Sequence, residues 1–244
     1  MPIYLNKMQE AEDKICQLLN TVRKIIQQFD HFIDPGTNST ERSEALELWS
    51  AREFRVVHSL VNCALLQKSF HNAVRLVHQC LQRPTCLKGP MYSILGRVYL
   101  LLGDVHRAQQ ALNLANDSRD SSQTASSIAT LIDAALIAIA QNAFPDAYNY
   151  FKEALALEPD NPMLVNNAAV CLLYMGRMQD AMMMLEENLG TKPNAMIHDP
   201  TILNVCTLYE LESSLTMQRK LGMLRLASQW RADSLNASCF KLQN

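Results

Sequence analysis

Along most of this chain apolar residues return every three or four positions and polar residues fill the positions between them, the pattern of helices with one buried face. The blocks also repeat one another. Ala147-Tyr-Asn-Tyr-Phe151-Lys-Glu-Ala154-Leu-Ala-Leu-Glu-Pro159 is answered 34 residues later by Ala181-Met-Met-Met-Leu185-Glu-Glu-Asn188-Leu-Gly-Thr-Lys-Pro193, with small, large and proline residues at equal offsets. A period of that length, holding two helices and closed by proline, predicts stacked helical hairpins.

The residues at these offsets match the tetratricopeptide (TPR) pattern, which runs Trp-x2-Leu-Gly-x2-Tyr, then Ala-x3-Phe-x2-Ala, then Pro. The unit at 89–122 carries the first half in Tyr92, Leu95, Gly96 and Tyr99 and the second in Ala108, Leu112 and Ala115. The unit at 128–161 completes the second half with Ala147, Phe151, Ala154 and Pro159, and the unit at 162–195 supplies Ala181, Leu185 and Pro193. A weaker copy spans 54–87 and a degenerate one spans 200–231. The expected fold is all-α, a right-handed superhelix (α-solenoid) of TPR-like helical hairpins.

Each offset answers a steric demand. Gly96, Ala135 and Ala169 fall where the helices of a hairpin cross, and Ala73, Ala108, Ala147 and Ala181 fall on the facing helix. Small residues there let the backbones approach to the short end of the usual range of about 8–10 Å. Gly103, Asn142 and Gly176 share the position of the turn, where a left-handed helix end is tolerated. Pro159 and Pro193 end second helices.

Three stretches lie outside the repeats. A helix is expected within 1–33, where Met8, Ile15, Val22 and Phe29, with Ala11, Leu18, Ile25 and Phe32, keep a seven-residue spacing widened by Leu19 and Ile26. That width predicts a cap on the first repeat, with a seam against another subunit as the alternative. Residues 34–43, including Asp34-Pro35-Gly36, read as a linker, and 44–244 as the solenoid. Trp49 is expected to anchor the amino-terminal helix. The polar run Asn116 to Ser127 predicts a solvated loop, or a target of phosphorylation.

Composition narrows the chemistry. With 48% apolar residues the 244-residue chain can bury a large core, while seven glycines leave no material for a phosphate-binding loop. Twenty-two basic residues against 24 acidic ones supply no field for a phosphate backbone, so nucleic acid is not an expected partner. The apolar run Ile128 to Ala140 contains Asp133 and falls short of the roughly 20 residues that cross a bilayer, so no membrane insertion is expected. Met1 to Lys14 is too polar for a signal peptide, which predicts a cytoplasmic protein. The seven cysteines form no Cys-x-x-Cys pair and read as core thiols. The histidines lack ligand spacing. No catalytic residues, metal site or cofactor are expected, and the chain is not read as an enzyme.

Binding is expected on the face formed by the first helix of each hairpin. The second, fifth, ninth and twelfth positions give Arg55, His58, Asn62 and Leu65; Pro90, Ser93, Arg97 and Leu100; Ala129, Ile132, Leu136 and Ile139; Met163, Asn166, Val170 and Leu173. The third set is wholly apolar and predicts cover by an apolar helix, either the chain's own carboxyl-terminal segment or a partner's. A chaperone-tail carboxylate clamp is not expected. Asn62 is present, but His58, Ile94, Ala129 and Asp133 stand at its other four positions.

Between the repeats, Leu48-Trp49-Ser-Ala-Arg52-Glu, Ser59-Leu60-Val61-Asn62-Cys63-Ala64, the run from Asn204 to Ser214 with Met217-Gln218-Arg219-Lys220, and the ending Cys239-Phe240-Lys241-Leu242 are distinctive. Together they resemble the carboxyl-terminal TPR region of the subunit-twelve family of the trafficking protein particle (TRAPP) complex, from about Glu44 onward. The resemblance implies a non-catalytic subunit of a vesicle-tethering assembly that works between endoplasmic reticulum and Golgi and in autophagy. It implies subunits eight, eleven and thirteen as neighbours and a peripheral membrane location reached through the complex; members of that family also carry a long amino-terminal extension that does not stand in this sequence. A generic TPR adaptor that binds a helical or apolar peptide is the alternative.

Overall fold

The computed structural model describes residues 8–31, 39–83, 86–119, 124–212, 215–230 and 235–242, and every regular element among them is helical. The elements are α1 Met8–His31, α2 Ser39–Leu66, α3 Phe70–Leu81, α4 Lys88–Leu101, α5 Val105–Asp117, α6 Thr124–Ala140 and α7 Phe144–Leu157. They continue with α8 Pro162–Tyr174, α9 Met178–Thr191, the short α10 Pro193–Met196, α11 Asp199–Glu212, α12 Thr216–Trp230 and a single 3-10 turn, Ala237–Phe240. The fold is an α-solenoid of antiparallel hairpins, divided into two compact units, Met1–Arg119 and Asp120–Asn244.

In the first unit α1 packs on α2, and the hairpins α2/α3 and α4/α5 stack through α3 and α4. In the second, α6/α7 and α8/α9 stack through α7 and α8, α11 packs on α8 and α9, and α12 packs on α11. Each unit has its own apolar core. Leu19, Val57, Val61, Val77, Met91 and Leu95 are among the buried residues of the first. The second is filled from Ile132, Phe151 and Leu164 in its first hairpins to Leu189, Ile202 and Phe240 at its end.

The helix crossings are as tight as small residues permit. Ala73, Ala108, Ala147 and Ala181 are all 0% exposed. At Gly96 a β-carbon would stand 2.5 Å from Cγ and Cδ2 of Leu112 and 3.3 Å from the Ala108 carbonyl oxygen. Leu112 is itself buried, so a side chain at position 96 displaces the packing of the hairpin.

The four hairpins α2/α3, α4/α5, α6/α7 and α8/α9 turn in the same way. Gly103, Asn142 and Gly176 have φ of +77°, +60° and +77°, and Lys68, at the equivalent place in the first hairpin, has φ of +57°. In each case the amide of the left-handed residue reaches back three residues and the next amide reaches back five: Lys68 to Leu65 and Ser69 to Ala64, Gly176 to Leu173 and Arg177 to Leu172. This is a Schellman closure, which satisfies carbonyls that the helix end leaves open. The second helix then starts on a cap where the sequence offers one, as at Asp104, whose Oδ1 accepts from the Arg107 amide at 2.9 Å.

Several boundaries differ from expectation. α2 begins at Ser39, so 39–43 belongs to a helix rather than to the linker, with Glu41 placed favourably in its first turn. The expected loop at 116–127 is shorter, because α5 runs to Asp117 and α6 starts at Thr124. Residues 32–38 and 120–123, and with them Phe32 and, from the serine run, Ser121 and Ser122, lie outside the described residues. The stripe of α1 is Ala11, Leu19, Val22 and Ile26, with Ile15 half-buried and Leu18 51% exposed. One partner helix, α2, selects that 3.6-residue stripe over a seven-residue seam. The outward face of α1, including Gln17, Thr21, Lys24 and Gln28, is polar, and α1 caps the first hairpin. Trp49 is half-buried with the Arg52 guanidinium 4.3 Å from its ring centre.

The carboxyl-terminal end is closed differently. Cys239 and Phe240 are buried against α11 and α12, and Leu235 and Leu242 pack beside them. Lys220, only 4% exposed, donates to Glu210 Oε1 at 2.6 Å and to the Lys241 carbonyl at 2.8 Å.

Two substitutions check this packing in denaturant unfolding. Gly96→Val should lower stability by about 2–3 kcal/mol through overpacking against Leu112. Lys68→Gly should raise it by up to about 1 kcal/mol by relieving a left-handed non-glycine residue.

Candidate functional site

The first helices of the hairpins leave one face outside the core, and in the first unit that face is basic. On α2, Val57, Leu60, Val61 and Ala64 point into the core while Arg55, His58 and Asn62 are exposed. The Phe54 and His58 rings stack at 6.3 Å, and His58 Nδ1 lies 3.5 Å from Asn62 Nδ2. Arg97 is exposed on α4 between buried Gly96 and Val98. From Phe54 to Leu66 and from Lys88 to Leu101 there is no carboxylate, and Arg55, Lys88 and Arg97 are the cationic side chains of these two helix segments besides His58. Leu66 and Leu101, at the same repeat position, add exposed apolar surface at 60% and 61%.

In the second unit the corresponding face is apolar. Leu136, Ile139, Val170 and Leu173 are half-buried and Met163 is 36% exposed. Val170 and Leu173 line a cleft with Ala169, Leu185, Asn204, Thr207 and Leu208, between α8 and α11. Three residues expected on the surface are buried instead: Ser93 of α4, at 7% exposed, and two of the second unit. Ile132 is 7% exposed because it joins the cluster of Ala135, Phe151 and Leu164. Asn166 is 7% exposed and accepts a hydrogen bond at 2.9 Å from Asn204 of α11, which covers it. The carboxyl-terminal segment does not act as the cover expected for the apolar set of α6; it packs on α11 and α12.

The repeat positions themselves are structural. Leu95, Gly96, Ala108, Ala147, Phe151, Ala154, Ala181 and Leu185 are buried, Tyr92 and Tyr99 are half-buried, Pro159 lies in the turn after α7, and Pro193 opens α10. Tyr99 also receives the Arg107 guanidinium 5.9 Å from its ring centre.

Reading by offset misses a buried ion cluster. Glu53 is 4% exposed and accepts from Arg23 of α1 and from Arg83, just after α3, each at 2.9 Å. It thereby ties the cap helix to both helices of the first hairpin. Its signal was present: Glu53 stands four residues before Val57 on the stripe that continues through Leu60, Val61 and Ala64. A carboxylate on such a stripe requires cationic partners.

The cysteines are poorly suited to nucleophilic chemistry. Burial pushes the thiols of Cys80, Cys171 and Cys206 up to about 11, and those of Cys16, Cys63, Cys86 and Cys239 are raised as well. A thiolate is therefore disfavoured at neutral pH. No described helix is long and apolar enough to cross a membrane.

The geometry has relatives. Residues 138–199 match the tetratricopeptide repeat family model. Trafficking protein particle complex subunit 12 of Homo sapiens is 33% identical over 252 residues, covering 98% of this chain and 33% of that protein. Its counterpart from Mus musculus is 32% identical, covering 98% of this chain and 31% of that protein. The chain thus spans about a third of the length of these relatives. Among solved structures, BtubC (BKLC) from P. vanneervenii superposes with a TM-score of 0.58 at 16% identity, covering 93% of this chain and 91% of that one. A tetratricopeptide repeat protein from Parabacteroides merdae gives 0.58 at 10% identity, covering 98% and 92%. At these identities the structural likenesses establish the fold alone.

Glu53→Gln should cost roughly 2–3 kcal/mol, at or below the ~3–5 kcal/mol of breaking a fully buried ion pair, because both arginines reach solvent. Denaturant unfolding measures the loss. Protease cleavage within α1 should accelerate in the same variant.

Proposed function

From a chain related along 98% of its length to trafficking protein particle complex subunit 12, we propose a non-catalytic scaffold that joins other subunits of that complex. The observation that carries this reading is that relationship, on a fold whose hairpins are held rigid by fully buried small residues. Rigid helices bind a partner without ordering a chain, so the interface free energy is not spent on folding.

The contact surface is the first-helix face: Arg55, His58, Asn62 and Arg97 in the first unit, and Leu136, Ile139, Met163, Val170 and Leu173 in the second. The basic segment suits an acidic surface, and the apolar segment suits the apolar side of a helix. A permanent subunit contact of this type should bury about 2,000 Å² or more. Other subunits of the assembly, with eight, eleven and thirteen as candidate neighbours, are the partners we assign. Vesicle tethering between endoplasmic reticulum and Golgi, and autophagy, are the settings, and membrane proximity comes through the complex.

The cleft beside Val170 and Leu173 favours one alternative, a transient adaptor for a short apolar helix. The two readings differ in stoichiometry. A permanent subunit purifies from cells with companions in fixed proportion, whereas an adaptor binds at micromolar strength and loses its ligand on washing.

The test is co-purification of the tagged chain, carrying all its natural flanking sequence, with and without Arg55→Glu, Arg97→Glu and Met163→Glu. These residues are exposed, so helicity should be unchanged. The unaltered chain should bring down companion subunits in constant ratio, and the triple variant should lose them at least roughly tenfold. Companions retained by the triple variant would move the interface to another face. An unaltered chain without companions would overturn the scaffold reading.

A further inference from the structure

We propose that the segment Leu235–Leu242 is a releasable latch, seated on α11 and α12, and that its opening uncovers Cys206 and Cys239 together. Four contacts define the seat. Phe240, 2% exposed, and Cys239, 8% exposed, enter the core, with Leu235 and Leu242 against it. Lys220, buried on α12, donates to Glu210 Oε1 at 2.6 Å and to the main-chain carbonyl of Lys241 at 2.8 Å. Lys241 Nζ returns to Glu210 Oε2 at 3.0 Å. At the other end of the segment the Asn236 amide donates to Asp199 Oδ1 at 3.1 Å.

The segment cannot hold this shape alone. Its only regular structure is the four-residue 3-10 turn Ala237–Phe240, a length with no intrinsic stability in water. Lys241, which delivers its carbonyl to Lys220, has φ of +49°, a left-handed conformation that a non-glycine residue keeps only while contacts enforce it. The polar lock is at the rim: the Glu210 and Lys241 side chains are 39% and 35% exposed, so water and salt compete for their bond.

These features make opening cooperative. If the anchor Phe240 leaves, Lys220 loses its carbonyl partner and must hydrate, and that change draws Glu210 and Lys241 with it. Such a unit opens at lower free energy than the hairpins beneath it, because only eight residues and one aromatic anchor are involved. Cys206, fully buried on α11, lies close enough to Cys239, Lys220 and Lys241 for their charges to act on its thiol. It therefore reports the state of the seat. The seat recognises an aromatic side chain next to a main-chain carbonyl, and its occupant is the chain's own tail.

The test is maleimide labelling of the intact native chain, resolved by cysteine with mass spectrometry. Cys206 and Cys239 should both react more slowly than exposed Cys16 and faster than Cys171, which is buried on α8 against α6 and α7. Glu210→Ala should speed both by roughly tenfold and leave Cys171 unchanged, as local opening requires. In a Phe240→Ala variant a synthetic peptide of residues 235–242 should slow labelling of Cys206. The proposal is overturned if Cys206 and Cys239 in the intact chain react no faster than Cys171, or if Glu210→Ala leaves their rates unchanged.

Discussion

The distance at which two helices of a hairpin can cross governs everything else in this molecule. Ala73, Ala108, Ala147 and Ala181 have no exposed surface, and Gly96 faces Leu112 with no room for a β-carbon. Residue 24 of each unit fills the space that the crossing leaves: Val77, Leu112, Phe151 and Leu185 stand at that offset, all of them buried. Dense packing of this kind transmits any added volume to the backbone, which is why the register of the repeat is the register of the fold. Because crossing and turn recur at fixed offsets, the exposed faces recur as well, and side chains far apart in sequence are set out in order for a partner.

The first and last of the described hairpins have their apolar sides covered by different means. A stacked hairpin leaves its outer apolar side bare unless something covers it. At the first hairpin the cover is α1, a helix of 24 residues pinned by the Arg23–Glu53–Arg83 cluster. At the last hairpin the cover is a short turn with one aromatic anchor and a buried lysine. The first closure is built to persist, and the second has the features of a contact that exchanges.

The helical class and the solenoid were legible because periodicity and small-residue offsets report directly on packing. Other features were hidden for identifiable reasons. Lys68 takes the left-handed turn position without glycine or asparagine to announce it, because the helix ends on both sides enforce the turn. Ile132 and Asn166 occupy offsets that elsewhere face solvent, but neighbouring core residues or the next helix, α11, bury them. The offset rule assumes identical hairpins, and these are not identical. Leu18 was expected on the buried stripe of the cap helix and is exposed, since a single partner helix draws the stripe to Leu19. The ion cluster and the lysine of the tail seat depend on residues 30 and 21 positions apart, a separation no local pattern reveals.

Hydroxyl-radical footprinting of the chain, free and within a complex purified from cells, tests the central claim most directly: first-helix faces carry the partner. Met163 on α8 and Met183 on α9 are 36% and 64% exposed, so both oxidise readily in the free chain and serve as an internal pair. Met163, with Leu66 and Leu101, should lose reactivity in the complex while Met183 keeps it. Protection of Met183 with Met163 unchanged would contradict that claim.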